Sequence, residues 1–229
     1  MLVERMHPSR LAAYRGAPFD AAIAIDVLRA STTALVLLDR VAEVAVVARL
    51  ADLSALPPHP WLIVSELAGA SASGPSIDNS PVEAGRVALE GRTPCLITTN
   101  GTRTLCAASA HAARVWMAGF VNLRATARAI AALAPARVLV LPAGSFTSGE
   151  AHLEDELCAD ALIAELAGAP FDGDALAEQA RADPRVQRRL AREVSLGADL
   201  DIALSTDRFL RVAEFSATGD NAGWLRRDR

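Results

Sequence analysis

The sequence predicts an α/β fold, a three-layer α/β/α arrangement with a mostly parallel or mixed sheet and helices on both faces. Three observations carry this. Apolar runs of strand length recur along the chain, at AAIAI, EVAVV, WLIV, CLIT and RVLVL. Segments with helical caps or periodicity separate them, and such alternation builds largely parallel sheets with crossover helices. The 229 residues are 52% apolar, which is enough to bury a real core. The chain is read as one α/β domain over 1–229, with two similar halves as the alternative.

Residues 1–20 read as a lead-in with little packing signal. Residues 21–26 form the first strand and 31–39 a helix. The segment 43–47 is a second strand. A short helix at 50–56 is stopped by Pro57 and Pro58. Residues 61–64 form a third strand, followed by a long polar loop, SELAGASASGPSIDNSP, from Ser65 to Pro81. Loops of that length inside compact domains often carry function. Pro81 suits the first position of a helix capped by Ser80, with Glu83 completing a box-like pattern. That helix is expected to reach about residue 90. Strands then follow at 95–98, 115–118 and 137–141, and helices at 102–113, 123–133 and 153–167. Beyond them come helices at 174–182, 184–193 and 198–204, and a closing strand at 208–215.

In sheets of this kind ligands bind beyond the carboxyl ends of the strands. The polar clusters fall there: DVLRASTT at 26–33, SEL at 65–67, TTNGT at 98–102, and AGSFTSGEAHLED at 143–155. In the first, Asp26 can hold a metal ion. The amides around Ser31, Thr32 and Thr33, at a helix start, can attract phosphate, and Arg29 can add a two-pronged contact. The other reading is a helix cap by Ser31 and a surface ion pair for Asp26 and Arg29. TTNGT is a tight strand-to-helix turn. Asn100 and Gly101 tolerate positive φ, which makes a concave anion site of consecutive amides, and Thr99 and Thr102 can add hydroxyl donors. A plain threonine-capped turn accounts for the same residues. Asn79 and Ser80 form a similar cap-and-donor pair.

Glu154 and Asp155 open a helix beside Cys158, where carboxylates also complement the helix macrodipole. With Asp26 and Glu66 they make four acids near predicted strand ends. Oxygen ligands of that kind suit Mg²⁺. Carboxylate neighbours raise a thiol's pKa, so Cys158 is read as a packed or metal-adjacent thiol. The four histidines are scattered, and only His152 lies near a polar cluster.

Other chemistries are excluded. All 23 basic residues are arginine, so neither a lysine Schiff base nor a P-loop lysine can operate. No cysteine has an arginine six positions on, and no Arg-His-Gly triplet occurs. Asp199-Leu-Asp201 looks like half an aspartyl-phosphate motif and is set aside as chance. A net charge of −4 argues against a nucleic-acid partner. No apolar run approaches a membrane span, and charges in the first 20 residues do not suit a signal peptide. Cys95, Cys106 and Cys158 are an odd number at no zinc-ligand spacing, which fits free thiols in a reducing cytoplasm.

The assembled motifs resemble the 2-phosphosulfolactate phosphatase family over roughly residues 20–213. IDVLRASTT at 25–33, the Glu66 loop, DNSPVEAG at 78–85 and TTNGT at 98–102 carry the resemblance. FVNLRATA at 120–127, PAGSF at 142–146 and EDELCAD at 154–160 complete it. It implies a cytoplasmic Mg²⁺-dependent phosphatase of coenzyme M biosynthesis, acting on a three-carbon acid with a 2-phosphate and a 3-sulfonate. A homodimer is a further expectation. The chain departs from the family pattern: Leu67 replaces an arginine after Glu66, and Ser76 replaces an aspartate, with Asp78 two residues away. Hence two alternatives, a phosphatase for another small 2-phospho acid and a phosphate-ester-binding protein that has lost turnover. The expected site comprises Asp26, Glu154 and Asp155 as metal ligands, Glu66 as a further acid, and Arg29 with the two anion-binding turns for phosphate.

Overall fold

A computed structural model describes residues 1–67 and 74–228. Much of the long loop expected at 65–81 therefore lies outside the described residues. The strands are β1 (Leu2–Arg5), β2 (Phe19–Ile25), β3 (Glu43–Val47), β4 (Trp61–Ser65) and β5 (Ser76–Ile77), then β6 (Thr93–Ile97), β7 (Ala112–Ala118), β8 (Arg137–Pro142), β9 (Ala213–Gly219) and β10 (Ala222–Arg227). The helices are α1 (Ala30–Arg40), α2 (Pro81–Arg86), α3 (Gly101–Ser109) and α4 (Leu123–Ala131), then α5 (Leu153–Leu166), α6 (Gly173–Ala182), α7 (Pro184–Leu190) and α8 (Leu196–Ala203).

The strands form one mixed sheet in the order β1-β8-β2-β7-β9-β10-β3-β6-β4-β5. β1, β8, β2 and β7 are mutually parallel, as are β3, β6, β4 and β5. The hairpin β9–β10 lies between the two sets and is antiparallel to both neighbours, β7 and β3. Three antiparallel steps in a row make the two parallel sets run in opposite directions.

One face of nearly the whole sheet packs on α1 and α3. Ala22, Val46, Val64, Leu96, Met117, Leu139, Phe215 and Leu225 share a buried cluster there with Leu35, Leu38 and Leu105. On the opposite face, the β1-to-β7 set carries α4 to α8 through Ile23, Trp116, Val140, Leu157, Leu162 and Leu200. The other set has a smaller cluster around Ile63, Ile97 and Trp224. The parallel strands are buried on both faces, so they read as continuous apolar runs.

Three expectations change. The segment 1–20 is part of the fold: β1 pairs with β8, and Leu11 and Phe19 are fully buried. Its apolar residues are interspersed with charge, which hides them in sequence. The closing strand begins at Ala213 rather than residue 208 and pairs with β10, unseen because ATGDNAG reads as a turn. The helices after Pro81 and Gly101 end at Arg86 and Ser109, earlier than their apolar content suggested. No helix among the described residues is long and apolar enough to cross a membrane.

Candidate active site

Asp26 directly follows β2. Its backbone closes a loop with Ser31, whose amide donates to the Asp26 carbonyl at 2.8 Å and whose Oγ accepts from the Asp26 amide at 2.9 Å. The Thr32 hydroxyl donates to the Val27 carbonyl at 3.0 Å, and the Thr33 amide to the Arg29 carbonyl at 2.9 Å. All three hydroxyl side chains are fully buried. The Ser31 and Thr32 hydroxyls thus brace the loop from within instead of facing a ligand, while the buried Thr33 Oγ1 has no partner among the described residues. What the loop presents is the Asp26 carboxylate, with the Ala30 amide 3.4 Å from Oδ1.

Gly101, at the start of α3, meets that carboxylate. A Cβ there would stand 2.7 Å from Asp26 Oδ2 and 2.7 Å from Ala30 Cβ, so only glycine fits. The expected positive φ is absent: Asn100 has φ −125°, and Gly101 is not in the left-handed region. The glycine serves close approach, not a left-handed turn. Burial and then the negative charge of Glu66 push the Asp26 carboxyl up to about 7, against the pull of the Ala30 amide.

Asp155 reaches the same place from α5. Its Oδ1 accepts from the Val27 amide at 2.8 Å and its Oδ2 from the Gly144 amide at 3.0 Å, joining the loops after β2 and β8. Gly144 has φ +50°, and a Cβ there would meet the Glu150 carbonyl at 2.3 Å. Burial, then Glu154 and Asp26, raise the Asp155 carboxyl well above the ordinary range. Glu154 is 1% exposed. Its Oε1 pairs with Arg185 of α7, while its Oε2 is buried with no hydrogen-bond partner among the described residues. His152, Glu154 and Asp155 offer ligand atoms within 4.8 Å of one another. Burial and then Arg185 lower the His152 pKa. Cys158 is buried beneath them, and burial followed by Asp155 raises its thiol well above the usual range, so it is not a thiolate.

Glu66 ties together the loops after β4 and β6. Its Oε1 accepts from the Thr99 amide at 2.9 Å and the Thr99 hydroxyl at 2.8 Å, and its Oε2 from Asn79 Nδ2 at 2.9 Å. Thr98 and Thr102 exchange amide-to-hydroxyl bonds of 3.0 and 3.1 Å, and Thr102 also donates to the Thr98 carbonyl. The Thr102 hydroxyl is therefore consumed by the turn. Asn100 Oδ1 accepts from the Phe146 amide at 3.0 Å, which fastens the loop after β8.

Arg29 is 7% exposed and lies between two carboxylates, with Nη1 2.7 Å from Asp199 and Nη2 2.7 Å from Asp78. It is neither a surface ion pair nor an unengaged arm. Ser80 caps α2, accepting from the Glu83 amide at 3.2 Å, and donates to Asp199 at 2.6 Å. Four acids from three segments thus feel one another: Glu66 and Glu154 act on Asp26, and Asp26 and Glu154 on Asp155. Sequence reading missed Asp199, dismissed with its motif, and Arg185, which no local pattern marks. The one available signal for Asp199 is its place on the apolar stripe of LGADLDIA, three residues after Leu196 and four before Ala203, a stripe that Asp201 does not share. A cavity of about 660 Å³ lined by Pro8, Leu11, Cys106, His111, Phe146 and Asp220 includes none of these carboxylates.

The family model described as 2-phosphosulpholactate phosphatase matches residues 8–215. A protein of Deinococcus radiodurans named "Probable 2-phosphosulfolactate phosphatase" is 36% identical over 213 residues, covering 83% of this chain and 86% of that protein. Proteins of the same name from Gloeobacter violaceus and Trichormus variabilis are 39% and 36% identical. Those alignments cover 67% and 62% of this chain, and 66% and 59% of the relatives' own length. The chain belongs to the 2-phosphosulpholactate phosphatase family, a family of phosphoric monoester hydrolases.

Proposed function

We propose that this family member hydrolyses 2-phosphosulfolactate to sulfolactate and phosphate with the help of Mg²⁺, in the cytoplasm and as a step of coenzyme M biosynthesis. The observation that supports this best is the gathering of Asp26, Glu66, Glu154 and Asp155 at the loops after β2, β4 and β8. Three of these carboxylates, Asp26, Glu154 and Asp155, are buried, and buried acids whose charges raise the pKa of Asp26 and Asp155 call for a compensating cation. The residues fit one. Glu154 Oε2 is a buried oxygen with no partner among the described residues, and the donor set is chiefly hard oxygen. Glu154 and Asp155 would hold the ion together with His152, whose ligand atom converges with theirs, and Asp26 would join them from the loop after β2. Bound there, Mg²⁺ would offset charge on the phosphoryl oxygens and lower the pKa of a water molecule.

The chain's own groups supply the rest. Arg29 would bind an oxyanion of the substrate through its guanidinium. Asp155 keeps the loops after β2 and β8 in register through two amides, which holds Asp26 against the α3 start. Glu66, braced by Thr99 and Asn79, supplies negative charge beside Asp26. A second reading, a phosphatase for another small 2-phospho acid, draws on Leu67. That residue packs with the Ile63 and Trp224 cluster and offers no charge where the family has arginine.

The test is phosphate release from 2-phosphosulfolactate and from 2-phospho acids without the sulfonate, each with Mg²⁺ and with EDTA. Preferred turnover of a sulfonate-free ester would replace the substrate. Binding without release from any ester would leave a binding protein. Full activity in EDTA would remove the metal.

A further inference from the structure

The two carboxylates on Arg29 differ in permanence. Asp199 is 1% exposed and both its oxygens are engaged: Oδ2 accepts from Arg29, and Oδ1 accepts from Ser80 Oγ and from the Val82 amide at 3.2 Å. It joins α8 to the starts of α1 and α2. The Asp78 side chain is 43% exposed, and the bond from Arg29 is its carboxylate's one hydrogen bond among the described residues. Its backbone amide is held separately, by Glu83 at 3.2 Å. An ion pair open to water contributes little, whereas a buried carboxylate cannot leave its partner without stranding a charge. One arm of the guanidinium is therefore fixed and the other exchangeable. The exchangeable arm belongs to the turn that carries Asp26.

We propose that Asp78 occupies the place at Arg29 Nη2 of a tetrahedral oxyanion of the substrate and is displaced when that group binds, with Asp199 as the positioning residue that keeps the guanidinium aimed during the exchange. This rests on the reading of the site as one for a phosphate ester. A tetrahedral oxyanion offers an arginine several acceptors at once, and an added anion repels the carboxylate already there. Asp78 is thus a competitor for the site. Its removal strengthens oxyanion binding, the reverse of the effect expected if it held substrate or metal.

The experiment is calorimetric titration of the full chain with inorganic phosphate and, separately, methanesulfonate, in Mg²⁺ buffer; the probe that responds tells which oxyanion the arm receives. Asp78→Ala is expected to tighten binding about threefold to tenfold. Asp199→Asn is expected to weaken it, and by a larger factor when combined with Asp78→Ala, since Asp78 is then no longer left to hold Arg29. A purely structural role for Asp199 would show the same factor in both backgrounds. Arg29→Gln with Asp199→Asn removes both buried charges together and is expected to abolish binding. Unchanged or weaker binding in Asp78→Ala overturns the exchange while leaving the phosphate-ester reading standing. Wild-type affinity in the Arg29→Gln, Asp199→Asn protein, or no binding to the wild type, overturns both.

Discussion

Arg29 Nη1 and Asp199 Oδ2 lie 2.7 Å apart in a pair shielded from solvent, 170 residues apart in sequence. Asp199→Ala strands the Nη1 end of the guanidinium, Nη2 keeping its half-exposed partner Asp78, and two further donors, Ser80 Oγ and the Val82 amide. The loss is expected to be about 3 kcal/mol of folding stability, by denaturant titration. A loss below about 1 kcal/mol would give the pair only the worth of a surface one.

Asp26→Asn keeps the shape of the side chain and removes the charge a hard cation needs. Phosphate release at saturating Mg²⁺ is expected to fall by on the order of 100-fold, with the fold intact by circular dichroism. Near-normal turnover would take Asp26 out of the metal site.

The same substitution isolates a pH effect. Folded Asp26 keeps its proton to about pH 7, while the unfolded carboxyl releases it near 3.8. The folded state binds more protons between those values, so the stability this group contributes falls as pH rises from about 4 to about 7. Asp155 acts in the same sense and His152 in the opposite one, since its folded pKa is lowered. In EDTA, the melting temperature of Asp26→Asn relative to wild type is therefore expected to climb between pH 4.5 and 7.5, and Mg²⁺ to flatten the climb. A pH-independent difference would contradict the raised pKa.

Gly101→Ala drives a methyl group into Asp26 Oδ2 and Ala30 Cβ, both 2.7 Å away. Ala30 belongs to a packed helix and cannot move freely. A cost of about 1–3 kcal/mol is expected, with a fall in turnover that added Mg²⁺ does not restore. Unchanged stability would mean that the α3 start can retreat from Asp26.

Cys158→Ser places a hydroxyl at a position that is 1% exposed and surrounded by the α4-to-α8 core. Stability is expected to drop by about 1–3 kcal/mol while most of kcat is retained. Loss of turnover with an unchanged melting curve, and a trappable phosphocysteine in the wild type, would establish covalent catalysis instead.

How much of this was legible follows from distance along the chain. β2, β3, β4 and β8 stand out because strands buried on both faces are continuous apolar runs. Asp26, Glu66 and the Glu154–Asp155 pair were legible because each follows such a run or opens a helix. Their partners were not. Asp199 and Arg185 act through contacts 170 and 31 residues distant, which no local periodicity encodes. The hydroxyls of Ser31, Thr32 and Thr102 were visible as residue types, but their direction was not: the backbone nearest to them claims their hydrogen bonds. Gly101 was noticed for the wrong property, conformational freedom, because a missing Cβ matters only when its neighbours are known.

The place of the β9–β10 hairpin has a consequence for biogenesis. These two strands follow the other eight in the chain, yet they join the two parallel sets. On the ribosome, each set emerges before its shared seam exists. β7 and β3 then each present an unpaired backbone edge, a template for non-native pairing with another chain. Only when the hairpin has left the tunnel can both edges be covered, so the interval before its arrival is when the nascent protein most needs a chaperone.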